Sequence, residues 1–123
     1  MEFPDRVSER FFAELRGRRL ATTRCRGCGS LRFPPRAWCP GCLSEDLEWV
    51  TLSGRGRLAA FTTQETAFRF AAPDVIGLVD LDEGVRVLSA IDGRYEDLSI
   101  GEAVSVEFIE VEPGLVLHRF ASA

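Results

Sequence analysis

Two Cys-x-x-Cys motifs lie ten residues apart near the start of this 123-residue chain. The first is Cys25-Arg26-Gly27-Cys28 and the second is Cys39-Pro40-Gly41-Cys42. A tight turn within each motif presents two thiolates at once, and zinc prefers four thiolates in a tetrahedron at about 2.3 Å. A lone motif would leave thioredoxin-like redox chemistry open, whereas the paired motifs predict a metal site.

The segment 22–49 is too short to fold without help. Domains below ~40 residues usually need a disulfide, a metal or a partner, and zinc at such a site contributes on the order of 10–16 kcal/mol of folding free energy. If Cys25, Cys28, Cys39 and Cys42 are all ligands, no coordination position stays open for water or substrate. We therefore expect a structural zinc ribbon, with rubredoxin-type iron as the alternative occupant.

The composition is that of a soluble folded chain, since 46% of the residues are hydrophobic and 28% are charged. No apolar run approaches the ~20 residues that span a bilayer, so we expect no membrane segment. The N-terminal sequence MEFPDRVSER lacks the basic-then-apolar pattern of a signal peptide. These features predict a cytoplasmic chain, and in that reducing compartment four cysteines favour a metal over disulfides.

Charge is divided unevenly along the chain. Residues 1–57 have a net charge of +4, residues 58–123 have a net charge of −8, and residues 15–44 contain seven arginines but no Asp or Glu. Guanidinium groups suit bidentate phosphate recognition, so six of these arginines are candidates for a phosphate-binding patch; a solvated face is the simpler interpretation. They are Arg18, Arg19, Arg24, Arg26, Arg32 and Arg36.

Residues 1–21 are predicted to contain the N-terminal helix. Asp5 stands where a helix begins, Gly17 stands where it ends, and Val7, Phe11 and Leu15 recur at four-residue intervals. A helix of this length is marginal in water. Its apolar stripe must therefore pack, either on the rest of this chain or on a partner.

Residues 50–123 change to the period of two that is typical of strands. Five strands are predicted, at Leu58–Thr63, Val75–Leu81, Val85–Ile91, Val104–Phe108 and Leu115–Phe120. Five short strands with little helix between them favour a small closed barrel of the OB-fold type. The chain is therefore predicted to be mainly β: an N-terminal helix, a rubredoxin-like zinc ribbon and a five-stranded OB-fold barrel.

Independent catalysis is not expected. A serine or cysteine nucleophile normally requires a histidine base, and the only histidine is His118, inside the last predicted strand. The motif Gly54-x-Gly56-x-x-Ala59 resembles a dinucleotide fingerprint, but it precedes a strand instead of a helix. We interpret these glycines as residues that let the chain turn into the barrel.

An apolar segment separates the first two predicted barrel strands. Alternation places Phe68 and Phe70 of this segment on one side. They either cap the barrel core or contact an acyl chain or a partner surface, because exposed apolar patches mark binding sites.

Single-stranded nucleic-acid binding is the alternative function, since zinc ribbons and OB-folds both support it. Two observations disfavour it. The predicted strands Val75–Leu81 and Val85–Ile91 contain no aromatic residue on which a base could stack, and they belong to the acidic half of the chain. We therefore do not expect nucleic acid as a partner. The sequence leaves open whether the chain forms a homo-oligomer.

The order of these parts resembles one known family. An N-terminal helix is followed by RCRGCGSLRFPPRAWCPGCLSEDLEWVTLSGRGRL, a VDLDEG hairpin and a late IGEAVSVEF strand. This arrangement is similar to the rubredoxin-like zinc-ribbon plus OB-fold family, once catalogued as a domain of unknown function and linked to acyl-CoA. The resemblance covers residues 8–121, and Cys25 to Gly56 is its most specific block. The second knuckle departs from the first, with Cys42-Leu43 in place of Cys28-Gly29.

The resemblance implies an accessory function. Members of that family resemble non-catalytic companions of thiolase-like condensing enzymes and of acyl-CoA hydratases, with a barrel that helps to hold coenzyme A thioesters. By resemblance, the metal ligands are Cys25, Cys28, Cys39 and Cys42. The expected partners are therefore a thiolase-like or hydratase enzyme and an acyl-CoA, with the arginine patch at the phosphates and Phe68 and Phe70 near the acyl group.

Overall fold

The computed structural model describes residues 5–64 and 75–123. Within these ranges, one helix is followed by eight strands, with one turn of 3-10 helix at Tyr95–Asp97 between the sixth and seventh strands. The elements are α1 Arg6–Arg16, β1 Ala21–Cys25, β2 Leu31–Arg32, β3 Leu47–Thr51, β4 Arg55–Thr63, β5 Val75–Leu81, β6 Arg86–Ile91, β7 Ala103–Glu112 and β8 Leu115–Ser122. Among the described residues, no helix is long and apolar enough to cross a bilayer.

Contacts between residues divide the chain into two compact units. The first comprises the residues through Ser53 together with Glu110–Leu117, and the second comprises Gly54–Ile109 and His118–Ala123. The first unit therefore contains the helix and both cysteine motifs, whereas the second contains most of the barrel strands.

Helix α1 begins and ends where the sequence predicts. The Asp5 carboxylate caps it by accepting a hydrogen bond from the Ser8 amide at 2.7 Å, and Gly17 follows its last turn. Leu15 is fully buried, and the Phe11 ring lies edge-on to Phe33 with centroids 5.8 Å apart. The apolar stripe therefore packs within its own unit, the first of the two alternatives that the sequence left open.

Strands β1, β2 and β3 form an antiparallel sheet with β1 in the centre. Thr23 stands opposite Arg32 on one side and opposite Trp49 on the other. The sheet continues through Thr51, beyond the segment 22–49 that the sequence indicates as the ribbon. The first cysteine motif begins at the end of β1, so this sheet positions the first pair of thiols.

Strands β4 to β8 form a closed barrel in the order β4-β5-β6-β8-β7, which confirms the predicted five-stranded barrel. All pairs with a recorded register are antiparallel except β6 and β8, which run parallel. Alternate residues point inward, and the barrel core contains Leu58, Val79, Val87, Val104 and Phe120, each at most 1% exposed. Strand β5 has the predicted bounds, while β7 begins one residue earlier and ends four residues later than predicted.

Candidate metal centre and surrounding residues

The four cysteines predicted as ligands lie together. All four Sγ atoms lie within 4.8 Å of one another, with Cys25 and Cys42 3.5 Å apart and Cys28 and Cys39 3.6 Å apart. A tetrahedron of sulfur atoms at about 2.3 Å from a central zinc has edges of about 3.8 Å. The sulfur positions therefore fit a single ion of this kind with little rearrangement.

Both cysteine motifs fold as the same tight knuckle. In the first, the Gly29 amide donates to the Cys25 carbonyl at 2.8 Å; in the second, the Leu43 amide donates to the Cys39 carbonyl at 2.7 Å. Gly29 and Leu43 also share a positive φ, 79° and 64° respectively. The departure from glycine at residue 43 therefore leaves the two knuckles alike in backbone geometry.

The thiols do not ionise equally without a cation. The side-chain hydrogen bond between Cys28 Sγ and the Ser30 hydroxyl oxygen, 3.2 Å apart, lowers the pKa of Cys28 to about 6. At Cys42 a backbone hydrogen bond from Ser44 lowers the pKa, but hydrogen bonds with the neighbouring cysteine thiols, Cys25 first, outweigh it and raise the pKa to about 12. Four adjacent thiolates are thus unfavourable on their own, and a bound divalent cation would remove that repulsion.

The arrangement of donors indicates a structural function. The Cys25 and Cys39 side chains are buried, while Cys28 and Cys42 are exposed at the surface of the knuckles. Four thiolates complete a tetrahedral shell, so zinc bound here would supply a cross-link between the knuckles.

The predicted arginine patch is divided by ion pairs. Arg24 lies 4.0 Å from Glu48, directly opposite it across β1 and β3, and Arg26 lies 3.2 Å from Asp46 and 3.6 Å from Glu48. A third arginine of the set, Arg19, forms an ion pair with Glu14, while Arg18 is exposed just beyond α1 with a φ of 61°. Carboxylates therefore compensate three of the six arginines, and for Arg24 and Arg26 these carboxylates are distant in sequence.

Arg32 and Arg36 lie beside the metal centre. A side-chain nitrogen of Arg32 is 3.0 Å from the point where a Cβ on Gly41 would lie, and the Cys39 sulfur is 3.7 Å from that same point. The Arg36 amide donates to the Thr23 hydroxyl at 3.1 Å. Within the part of the chain that the structure describes, neither guanidinium has a carboxylate within 4.0 Å. Among the described residues, these two arginines are thus exposed cations beside the metal centre that have no ion pair, unlike Arg26 within the first knuckle.

Sequence reasoning missed an apolar cleft on the outer face of the barrel. The cleft has a volume of about 200 Å³, and its lining comes from three neighbouring strands: Ala60, Phe61, Thr62, Ile76, Gly77, Leu78 and Leu88. A signal was present in β5, where an unbroken apolar run is typical of a strand covered on both faces. The predicted contact residues Phe68 and Phe70 lie outside the described residues.

His118 belongs to the interior of the barrel. Its Nδ1 atom lies 2.7 Å from the hydroxyl oxygen of Ser89, a buried residue of β6, and its ring lies 6.4 Å from that of Phe120. Burial lowers the pKa of His118, which favours the neutral imidazole. The histidine therefore contributes to barrel structure, as the sequence position suggests.

Two known domain families match consecutive segments of this chain. The rubredoxin-like zinc ribbon domain of ChsH2 matches residues 12–48, and the C-terminal OB-fold domain of ChsH2 matches residues 49–108. Together they cover the metal centre and most of the barrel.

Three relatives show the breadth of the likeness. A DUF35 domain-containing scaffold protein of Methanocaldococcus jannaschii is 35% identical over 76% of this chain and 70% of its own length. A probable enoyl-CoA hydratase alpha subunit of Thermomonospora curvata is 34% identical over 92% of this chain, but the match spans only 36% of that subunit. The benzoylsuccinyl-CoA thiolase subunit BbsA of Thauera aromatica is 37% identical over 57% of this chain and 49% of its own length.

A solved structure extends the likeness to the whole fold. A chain of the Ltp2-ChsH2(DUF35) aldolase superposes with a TM-score of 0.86 at 30% identity, covering 99% of this chain and 98% of that chain. The two matched domains, the clustering of the four thiols and these relatives all indicate the same family. The chain belongs to the DUF35 family, in which a rubredoxin-like zinc ribbon precedes an OB-fold domain.

Proposed function

We propose that this chain is a non-catalytic accessory subunit of an acyl-CoA enzyme of the thiolase-like or hydratase type. The observation that carries the proposal is the near-complete superposition on one chain of an aldolase assembly. Relatives described as scaffold proteins and as a thiolase subunit support it. The closed set of four thiol ligands supports it further, because such a site contributes stability and leaves no position for a reacting group.

Affinity purification tests the proposal. The full chain, tagged and expressed in its native cells, should retain a thiolase-like or hydratase enzyme, and excess untagged chain should compete that enzyme away. The purified chain alone should leave acyl-CoA thioesters intact. The proposal would be wrong if no acyl-CoA enzyme were retained, or if the pure chain turned over a thioester.

We propose zinc as the resident ion. The support is the fit of the four sulfur positions to a tetrahedron and the match of the zinc ribbon domain. Elemental analysis of protein purified without added metal should find one zinc per chain. A red protein with visible thiolate-to-iron absorption would instead identify iron.

We propose that the accessory function includes binding the phosphates of an acyl-CoA. We assign this phosphate binding to Arg32 and Arg36. Both guanidinium groups are exposed and lack a nearby carboxylate among the described residues, unlike Arg24 and Arg26. Arginine forks bind phosphate oxygens in a bidentate manner.

Matched double variants test this assignment with coenzyme A as the probe. Arg32→Gln with Arg36→Gln should weaken coenzyme A binding by about tenfold or more, while Arg24→Gln with Arg26→Gln should change it little. Equal losses in both pairs would contradict the assignment. Tight, steeply salt-dependent binding of a thymidine oligonucleotide would instead favour the alternative function, single-stranded nucleic-acid binding.

A further inference from the structure

The outer face of β5 and β6 is apolar, whereas the outer face of a barrel in water is normally polar. Inward positions of β5 are buried, as expected, but the outward positions Ile76 and Leu78 are also apolar. On β6 the outward residues Leu88 and Ala90 continue the pattern, with Leu88 directly opposite Leu78 and Ala90 opposite Ile76. A strand with a solvated outer face normally alternates apolar with polar residues, so this face has the composition of a covered surface.

These four residues form one block with a depression beside it. Leu88 is 64% exposed, and with Ile76 and Leu78 it lines the cleft of about 200 Å³ that extends to β4. The block ends where outward polar groups return, at the Asp80–Arg86 ion pair of 2.7 Å. Contiguous apolar surface with a polar border is typical of an interaction site.

The charge near the cleft indicates what kind of surface would cover it. Phe61, one of the residues that line the cleft, contacts Tyr95 edge-on with ring centroids 5.2 Å apart, so the turn 92–97 packs against β4 beside the cleft lining. This turn carries three acidic residues and one arginine, and Arg94 is paired with Glu96 at 3.6 Å. Asp92 and Asp97 have no cationic side chain within 4.0 Å among the described residues.

We propose that the outer face formed by Ile76, Leu78, Leu88 and Ala90 is the docking surface for the partner enzyme. The complementary surface on that enzyme is apolar at its centre and carries Lys or Arg opposite the turn 92–97. A second copy of this chain is a poorer occupant, because residues 58–123 have a net charge of −8 and two such halves would repel. The inference rests on the proposed accessory function and adds the surface that serves it.

The test uses the full chain and the enzyme that it retains on affinity purification. Leu88→Glu places a charge in the centre of the face and should weaken binding by at least about tenfold. Because Leu88 is mostly exposed, this change should leave the unfolding transition in place. Ile100→Glu is the matched control, since Ile100 is 63% exposed in the same unit but does not line the cleft; it should change binding less than about twofold.

Charge removal tests the chemistry of the border. Asp92→Asn with Asp97→Asn should slow association and reduce its dependence on salt concentration. Unchanged salt dependence would contradict the basic border of the partner surface. A concentration-dependent dimer of the pure chain that Leu88→Glu abolishes would show that a second copy is the occupant and would overturn the proposal.

The remaining outcomes separate the two proposals. If the wild-type chain retains no acyl-CoA enzyme, the accessory function is wrong and the docking surface fails with it. If the Leu88→Glu chain retains the enzyme as strongly as the wild type does, the accessory function stands and only the docking surface is wrong.

Discussion

Gly29 and Leu43 hold the same place in the two cysteine knuckles, and each closes its turn with an amide bonded to the first cysteine of the motif. Their φ angles, 79° and 64°, lie in the left-handed region that glycine enters freely and that costs a residue with a Cβ about 1–2 kcal/mol. Leu43 is also 72% exposed, so burial recovers little of that energy. The second knuckle is therefore strained where the first is relaxed.

Replacing Leu43 by glycine should stabilise the metal-bound chain. Relief of the strained φ outweighs the extra freedom that glycine gives the unfolded chain, and the expected gain in the free energy of unfolding is about 0.5–1 kcal/mol. Urea denaturation with saturating zinc measures it. Leu43→Ala is the control, because alanine removes the exposed side chain but keeps the Cβ; an equal gain in both variants would show that the backbone strain is not the cause.

Removing the metal should unfold the ribbon. Because thiolate ligation contributes on the order of 10–16 kcal/mol at such sites, a strong chelator should abolish the native environment of Trp38, which lies beside Cys39, and that of Trp49 on β3. Tryptophan fluorescence reports the loss, and added zinc should restore it. A chain that keeps its native fluorescence after complete metal removal would contradict the structural function of the ion.

The clustering of the four cysteines could be predicted from the sequence because its determinants are local. The spacing of each motif specifies a tight turn, and the separation of the two motifs allows one ion to join them. The barrel strands were predictable for a similar reason. The alternation of Val104, Val106 and Phe108 with polar residues identifies a strand whichever strands become its neighbours. Such signals need no knowledge of which strands become neighbours.

Whether the arginines form one patch could not be predicted without knowing which strands pair. Arg24 stands directly opposite Glu48 only because β1 and β3 pair in one register, and the two residues are far apart in sequence. A slip of one residue would place them on opposite faces of the sheet. The apolar outer face of the barrel depends on pairing in the same way, because Leu78 and Leu88 become neighbours only through the β5–β6 ladder.

Acidification should destabilise the barrel through His118. Burial holds the pKa of His118 below its ordinary value of 6.5, so the unfolded chain binds a proton more readily than the folded chain. The stability that this residue contributes is complete above pH 6.5 and is lost as the pH falls from 6.5 through the lower folded-state pKa. The free energy of unfolding, measured at intervals from pH 7.5 to 5.5, should therefore decrease.

A glutamine at residue 118 isolates that effect from metal release, which also follows acidification. His118→Gln keeps a polar side chain without a titrating ring, so its stability should fall less steeply over the same pH range than that of the wild type. Parallel slopes for the two chains would show that the histidine does not titrate with unfolding.

Gly56 should tolerate no side chain, for a reason different from the one that its motif suggests. A Cβ there would lie 2.3 Å from the Asp80 carbonyl oxygen and 2.9 Å from the Leu81 Cα, both backbone atoms of β5. Since neither atom can move without disturbing the β4–β5 ladder, Gly56→Ala should cost about 1–3 kcal/mol of unfolding free energy. Gly84→Ala is the comparison, because Gly84 has a φ of 91° but nothing within 4 Å of its Cβ position, so it should lose only about 1 kcal/mol from backbone strain. Urea denaturation ranks the two variants, and a smaller loss for Gly56→Ala would mean that the strands separate easily at this point.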